Sequence, residues 1–232
     1  MHILLTRPID DCKDLINKFR LSKFKVSHLP LIEVFKKEYE KKDYKIYNAI
    51  IFTSANAIKN LDFENIDKSI KCFCVGSVTE NIARKSGFQN LYAADGNVNN
   101  LKELIIRIIE DKKIRILYVS GEITSQNLDN ELIKIGYNVD RLINYSVKHV
   151  ENFDKNFIED LKKNIPNVIY IYSANSAKSF INISKKYGLN DYWLNTNLMC
   201  IGEKTSSILN IIKWKKIFLF NPGEEEYFLY KI

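Results

Sequence analysis

The chain has 232 residues, of which 46% are apolar and 27% are charged, the composition of an ordinary globular protein. This length supports one large or two modest domains with real cores. No apolar stretch approaches the ~18 residues that cross a bilayer, so we expect no membrane partner. The apolar run that begins at Ile3 stops at Thr6, too early for the core of a signal peptide.

The formal net charge is +7, which favours a negatively charged partner. The lysines are scattered, so an upward drift through genome composition explains the charge equally well. The chain has no basic stripe and no recognisable recognition helix, and we therefore expect no nucleic-acid partner.

Short apolar runs alternate with amphipathic helical patterns along the chain. Continuous apolar strands separated by helices are typical of parallel sheets covered on both faces, so the predicted fold class is doubly wound α/β. The predicted strands are Ile3–Thr6, Val26–Leu29, Ala49–Thr53, Lys71–Val75, Asn90–Ala93, Ile114–Val119, Asn138–Ile143, Val168–Tyr172, Asn197–Ile201 and Lys216–Phe220. The predicted helices are Asp11–Leu21, Ala55–Leu61, Ser77–Lys85, Leu101–Lys112, Gln126–Ile135, Phe153–Lys163, Ala174–Tyr187 and Lys204–Ile212.

The four cysteines indicate core positions rather than a metal site. Cys72 and Cys74 alternate along one predicted strand and therefore share one face of it. The chain has no C-x-x-C motif, and its three histidines lie far from any cysteine in the sequence. We expect no metal, and free thiols are typical of a reducing cytoplasm, which is the predicted location.

Three segments of the chain occur twice in the same order. The offset grows from 113 residues (Val26 to Val139) to 119 (Ser54 to Ser173) and 126 (Gly76 to Gly202). The second pair consists of two copies of Ser-Ala-Asn, each placed after an apolar strand and before a helix. Growing offsets in a constant order indicate a duplicated α/β half with small insertions.

Two alternating segments, Leu31–Phe35 and Tyr145–His149, follow equivalent strands. If the chain leaves one domain at the first segment and returns at the second, these segments run side by side as a two-strand connection. The predicted domains are 1–35 with 150–232, which is discontinuous, and 36–147. A two-strand hinge between two lobes predicts a ligand cleft.

Small, hydroxylated and cationic residues follow most of the predicted strands. In an open α/β sheet the ligand binds at the carboxyl ends of the strands, where the first turn of each following helix has unpaired N–H groups. Such an edge suits carboxylates or phosphates, although each serine or asparagine alone is equally typical of a helix cap. No G-x-G-x-x-G or G-x-x-x-x-G-K-[ST] motif occurs, so no nucleotide cofactor is predicted.

Individual residues at these strand ends have both a functional and a structural interpretation. Arg7 can bind a carboxylate through its fork of N–H groups, or lie on the surface. Thr79 and Thr205 fall in the first turns of helices, where each hydroxyl faces a ligand or caps the helix. Tyr145 can donate a proton, although a free phenol is a weak acid at neutral pH. The residues alone predict a two-lobed, cofactor-poor binder of an anionic small molecule.

Taken together and in order, these segments resemble the uroporphyrinogen-III synthase family along nearly the whole chain. The order of the segments is more specific than any single one of them. The matching segments are Leu4–Pro8, Ile51–Ala57, Val75–Thr79, Gly121 with Leu128, Leu132 and Gly136, Asn144–Tyr145, Tyr172–Ala177 with Phe180, and Ile201–Thr205.

The resemblance implies two flavodoxin-like lobes with parallel sheets, joined by a two-strand ladder. It implies that hydroxymethylbilane, a linear tetrapyrrole carrying many carboxylates, is closed to uroporphyrinogen III with inversion of its terminal ring and loss of water, by a monomer without a cofactor. Tyr145 matches the position favoured for assisting departure of the hydroxyl group. The substrate-binding candidates are Arg7, Thr53, Ser54, Ala55, Asn56, Gly76, Ser77, Thr79, Gly121, Ser173, Ala174, Asn175, Gly202 and Thr205.

Two positions depart from the family pattern. Ser125 stands where the family often has an arginine, and Glu203 places a carboxylate in a segment that is expected to bind an anion. These departures leave two alternatives open. One is a non-catalytic two-lobed binder of an anionic metabolite, and the other is a degenerate paralogue of the synthase.

Overall fold

The computed structural model describes residues 1–220 and 224–226, so residues 221–223 and 227–232 of the predicted discontinuous domain lie outside the described residues. The strands are β1 (His2–Leu5), β2 (Lys25–His28), β3 (Ile32–Lys36), β4 (Ala49–Phe52), β5 (Lys71–Val75), β6 (Asn90–Ala94), β7 (Arg115–Gly121), β8 (Asn138–His149), β9 (Val168–Ile171), β10 (Asn197–Cys200) and β11 (Lys216–Leu219). The helices are α1 (Ile9–Leu21), α2 (Ala55–Lys59), α3 (Gly76–Lys85), α4 (Val98–Ile108), α5 (Leu128–Lys134), α6 (Lys155–Lys163), α7 (Ala174–Lys186) and α8 (Gly202–Leu209).

Several predicted boundaries differ from the structure by a few residues, and two of these differences have identifiable reasons. The strand predicted to end at Ile143 continues to His149, because the alternating segment after it extends the same strand. Helix α4 begins at Val98 rather than Leu101, since the Asn97 side chain accepts hydrogen bonds from the N–H groups of Asn99 and Asn100 and so caps the helix earlier. Short 3₁₀ helices at Tyr44–Ile46 and Asn190–Asn195 had no counterpart in the prediction.

Contacts between Cα atoms divide the chain into two compact units. Unit 1 combines Met1–Glu33 with Lys148–Ile232, and unit 2 is Val34–Val147. The assignment of two domains stays a prediction. Within the described ranges, no helix is both long and apolar enough to span a membrane.

Unit 1 contains a five-stranded sheet in the order β11-β10-β9-β1-β2, and every adjacent pair is parallel. Its central strands are apolar and fully buried because helices cover both faces. One face packs against α6, α7 and α8 around Phe180 and Trp193, and the other packs against α1 around Phe19. The sheet is therefore doubly wound, as predicted.

Unit 2 contains a six-stranded sheet in the order β3-β8-β7-β4-β5-β6. The pairs from β8 to β6 are parallel. Lys37 N–H donates to the Asn144 carbonyl and Val150 N–H donates to the Leu31 carbonyl. Because one residue number rises as the other falls, β3 runs antiparallel to β8, the two-strand ladder predicted for the connecting segments. Cys72 and Cys74 lie in the core of this unit with their sulfurs 3.9 Å apart.

The strand register of unit 1 repeats in unit 2 and confirms the predicted duplication. Leu4 pairs with Ile169 in unit 1, and Leu117 pairs with Ile50 in unit 2, which are the same positions at offsets of 113 and 119 residues. The order β2-β1-β9-β10-β11 corresponds to β8-β7-β4-β5-β6. Each unit therefore takes two strands from one sequence repeat and three from the other, so the two repeats are interleaved.

Lys68, which precedes β5 in unit 2, is a buried cation between two aromatic rings. Its ammonium nitrogen lies 3.6 Å from the ring centre of Phe63 and 4.3 Å from that of Phe88. The nitrogen is buried and has no hydrogen-bond partner within the described residues. Burial lowers the pKa of Lys68 to about 8, since the charged form loses its hydration. The rings stabilise the cation only in part.

We predict that Lys68→Met stabilises the protein at pH 7 by about 1 kcal/mol, because it removes a buried and unpaired charge. The lowered pKa means that the folded state binds a proton less readily than the unfolded state. The penalty is therefore complete below pH 8 and fades as the pH rises towards the ordinary lysine value. Urea unfolding at pH 7 and pH 9.5 should show the stabilisation shrinking, while the exposed Lys85→Met shows little change at either pH. A loss of stability at pH 7 would mean that the aromatic contacts outweigh desolvation.

Candidate functional site

The carboxyl ends of the parallel strands in unit 2 bring five predicted site residues to one edge of its sheet. Thr53 and Ser54 follow β4, Gly76 follows β5, and Gly121 ends β7. Tyr145 pairs with Gly121 in the register of β8, next to a bulge between Ser120 and Gly121. Tyr145 therefore lies level with the end of β7, although its own strand continues to His149.

The turn at Ser54 is the first of the predicted anion-binding turns. It is the N-cap of α2, and its hydroxyl oxygen accepts a hydrogen bond from Asn56 N–H at 3.2 Å. Ala55 and Asn56 form the half-buried first turn of this helix. The buried Asn144 side chain donates to the Ala57 carbonyl at 2.7 Å and so ties α2 to β8. The cap interpretation is therefore correct for Ser54, and whether the remaining N–H groups bind a ligand stays a prediction.

Tyr145 packs directly against the backbone of Gly121. A Cβ atom at position 121 would lie 2.7 Å from the Tyr145 Cζ and 3.0 Å from its hydroxyl oxygen, so only glycine fits beneath the ring. Burial raises the pKa of Tyr145, and hydrogen bonding to the Ser54 side chain and the Gly121 backbone opposes that rise. The phenol is thus protonated at neutral pH and is held by groups that stabilise its charged form.

A second buried phenol lies beside the same strand end. The Tyr118 hydroxyl is 3.1 Å from Thr53 Oγ1, and burial raises the pKa of Tyr118. The consecutive residues Thr53 and Ser54 therefore each contact one tyrosine. Tyr118 was not among the predicted site residues, because it reads as an ordinary core residue of an apolar strand.

Arg141 on β8 was also missing from the prediction, although it contacts the turn beside Tyr145. Its Nε donates to Ser120 Oγ at 2.8 Å, and its Nη2 donates to the carbonyls of Gly121 at 2.8 Å and Glu122 at 3.2 Å. Its Nη1 lies 3.9 Å from Asp129 Oδ2. Arg141 is identified by its pairing with β7. The sequence of β8 alone does not show that pairing.

The glycine turns after β5 and β10 have the same conformation in the two units. Gly76 and Gly202 begin helices α3 and α8 with φ values of 75° and 70°, a region that favours glycine. Thr79 and Thr205 lie buried in the fourth position of those helices, whereas Ser77 is exposed. Glu203 is exposed at the start of α8, and Ser125 is exposed in unit 2.

In unit 1, Ser173 caps α7 by accepting a hydrogen bond from Ser176 N–H at 3.1 Å, as Ser54 caps α2. Ala174 and Asn175 form the first turn of this helix. The Arg7 guanidinium carbon lies 4.7 Å from the ring centre of Tyr172, so the arginine stacks on an aromatic ring at the carboxyl edge. The Tyr172 hydroxyl is buried without a hydrogen-bond partner in the described chain, and burial raises its pKa well above the usual value.

Metal coordination has no candidate among residues 1–220 and 224–226. No three His, Cys, Asp or Glu side chains in these ranges are grouped closely enough to share an ion.

The model of the family described as uroporphyrinogen-III synthase HemD matches residues 13–218. The chain belongs to the uroporphyrinogen-III synthase family. Family members cyclise hydroxymethylbilane in haem biosynthesis, and this chain is accordingly a lyase with that activity. The family assignment favours the enzyme over the non-catalytic binder and the degenerate paralogue.

Two solved structures share the fold of this family member. A mutant uroporphyrinogen III synthase from the extremely thermophilic bacterium Thermus thermophilus is 13% identical, with a TM-score of 0.62 over 100% of this chain and 97% of that chain. Uroporphyrinogen-III synthetase from Helicobacter pylori 26695 is 19% identical, with a TM-score of 0.62 over 93% of this chain and 91% of that chain. A comparison with curated protein sequences gives no match.

Gly121→Ala should destabilise the protein by about 1–3 kcal/mol, because the new methyl group forces the Tyr145 ring away from the turn. Urea unfolding measures this change, and the exposed Ser125→Ala nearby should stay within about 0.5 kcal/mol of the parent. If Gly121→Ala is as stable as the parent, the close approach of ring and backbone is wrong.

Proposed function

We propose that the carboxyl edges of unit 1 and unit 2 bind the carboxylates of hydroxymethylbilane, and that Tyr145 assists the loss of its hydroxyl group. The observation that carries the second part is the buried phenol of Tyr145, which lies against Gly121 and contacts Ser54. The first part rests on the strand-to-helix turns that both edges share.

The edges suit carboxylates because each turn starts a helix. The first N–H groups of a helix have no partner within it, and the helix dipole adds partial positive charge there. Unit 2 supplies such turns at Ser54 and Gly76, and unit 1 supplies them at Ser173 and Gly202. Arg7 adds a full charge, and the net charge of +7 favours approach of a polyanion.

Binding through the backbone also explains how the chain departs from the family pattern without losing the site. Ser125 and Glu203 are both exposed, so neither places a buried charge against a bound carboxylate. The Glu203 carbonyl accepts hydrogen bonds from the Ser206 and Ser207 hydroxyls, which belong to the same helix. Neither side chain is therefore assigned a contact with the substrate.

The proposed reaction needs a hydrogen-bond donor for the leaving hydroxyl group. The protonated phenol of Tyr145 donates a hydrogen bond to this oxygen and transfers its proton as the C–O bond breaks, so that water departs. The pyrrole N–H proton then returns to the phenolate, and a neutral azafulvene remains. Partial burial strengthens this hydrogen bond, because little water competes for the donor. The rest of the catalytic task is to hold the chain folded so that the terminal ring attaches in the inverted sense.

We further propose that the protein works as a monomer in the cytoplasm. All four cysteines are free and buried, which suits a reducing compartment. Sedimentation at micromolar concentration should give a single species of 27.1 kDa, and a stable dimer would contradict the proposal.

The test is turnover of hydroxymethylbilane, with the type III and type I products separated. Tyr145→Phe should lower kcat by ~10²-fold, the effect of losing a positioned acid, while the residual enzymatic product stays type III. Tyr47→Phe is the matched control, since its buried hydroxyl bonds Asp140 at the amino ends of the same strands, and its kcat should equal that of the parent. If Tyr145→Phe is fully active, Tyr145 takes no part in the reaction. If the parent protein forms only the type I product, it lacks the synthase activity.

A further inference from the structure

We propose that Arg141 is a positioning residue for the reaction, which holds the turn Ser120–Gly121–Glu122 against Tyr145 and does not bind substrate itself. The proposal rests on the proposed role of Tyr145. Arg141 lies on β8, four residues before Tyr145.

Arg141 commits its hydrogen-bond donors to the protein. Its Nε and Nη2 make three hydrogen bonds of 2.8–3.2 Å to Ser120, Gly121 and Glu122, and its Nη1 lies 3.9 Å from an Asp129 oxygen. The planar guanidinium group thus joins three consecutive residues of one turn. Its side chain is only 23% exposed, so the charge is committed to the protein.

That turn contacts both the ring and the backbone of Tyr145. Gly121 is the residue on which the Tyr145 ring rests, and its backbone is also a hydrogen-bond partner of the phenol. Glu122 N–H donates to the Tyr145 carbonyl at 2.9 Å. The turn therefore fixes both the backbone and the ring of Tyr145. Because a bulge interrupts regular pairing at Ser120 and Gly121, the strand ladder alone does not fix the turn.

The duplicated fold has an equivalent contact in unit 1. Arg141 pairs with Tyr118 on β7, and His28 pairs with Leu5 at the corresponding register position in unit 1. The His28 Nε2 is 2.7 Å from the Arg7 carbonyl, and Arg7 is the position that corresponds to Ser120. In unit 1 a polar side chain on β2 is hydrogen-bonded to the segment that follows β1. In unit 2 a polar side chain on β8 is hydrogen-bonded in the same way to the end of β7 and the residue after it. A contact that recurs in both halves of a duplicated fold is typical of one that holds the local backbone in position.

The distinguishing experiment is a double-mutant cycle measured as kcat and KM with hydroxymethylbilane. Arg141→Gln should lower kcat by about tenfold with KM changed less than twofold, because a loosened turn misplaces the phenol. Arg141→Lys should recover little, since one ammonium group cannot bridge three acceptors. In a Tyr145→Phe background, Arg141→Gln should lower kcat less than twofold further, because its effect passes through the phenol.

The control is Arg115→Gln, which removes an arginine of β7 whose Nη2 lies 2.9 Å from Asp140 at the amino end of the strand. Its kcat should equal that of the parent. A rise in KM with unchanged kcat for Arg141→Gln would show a substrate-binding arginine and overturn the proposal. Equal losses of kcat in both backgrounds would overturn it as well, since the effect would not pass through Tyr145.

Failure of the inference is distinguishable from failure of the proposed function. If Tyr145→Phe is slow and Arg141→Gln has normal kcat, the positioning role is wrong and the role of Tyr145 stands. If Tyr145→Phe is fully active, the role of Tyr145 is wrong, and the positioning role falls with it.

Discussion

Parallel pairing of the strands is the constraint on which the site in each unit depends. In a parallel sheet every strand ends at the same edge, so the residues that follow several strands are brought together without being close in sequence. In unit 2 this brings Ser54, Gly76, Gly121 and Tyr145 to one edge, and in unit 1 it does the same for Arg7, Ser173 and Gly202. Both faces of each sheet are buried, as is typical of parallel sheets.

Within that frame, the details of unit 2 depend on a missing side chain. The Tyr145 ring occupies the space that a Cβ at position 121 would need, and the Arg141 guanidinium group is bonded to the same turn. The buried phenol of Tyr145, the backbone of Gly121 and the turn that is hydrogen-bonded to Arg141 pack together. Such an assembly has little freedom to rearrange, which is what a reaction governed by orientation requires.

The sequence was sufficient for the parts of the fold that depend on pattern. The offsets of 113, 119 and 126 residues between Val26 and Val139, Ser54 and Ser173, and Gly76 and Gly202 recur as the strand register of the two units. Apolar runs located the buried strands, since burial on both faces leaves few polar residues in them. The two connecting segments had alternating patterns of their own, and the discontinuous domain inferred from them stays a prediction.

The site was harder to predict than the fold. Arg141 and Tyr118 become site residues only through their cross-strand neighbours, and no local motif marks them. The cap function of Ser54 and Ser173 was recognisable, because serine before a helix has few other local roles. In the sequence, Lys68 is one lysine among many. Its burial between two rings depends on Phe88, which lies twenty residues further along the chain.

We propose above that the carboxyl edge of each sheet binds carboxylates of the tetrapyrrole. The decisive measurement is of backbone amide chemical shifts, recorded while uroporphyrinogen III is added. We expect the largest shifts on the turns at Ser54–Ala57, Gly76–Thr79, Ser173–Ser176 and Gly202–Thr205, while amides at the amino ends of the strands, such as Lys71 and Arg115, stay unchanged. Shifts centred on the amino ends, or confined to one unit, would contradict it.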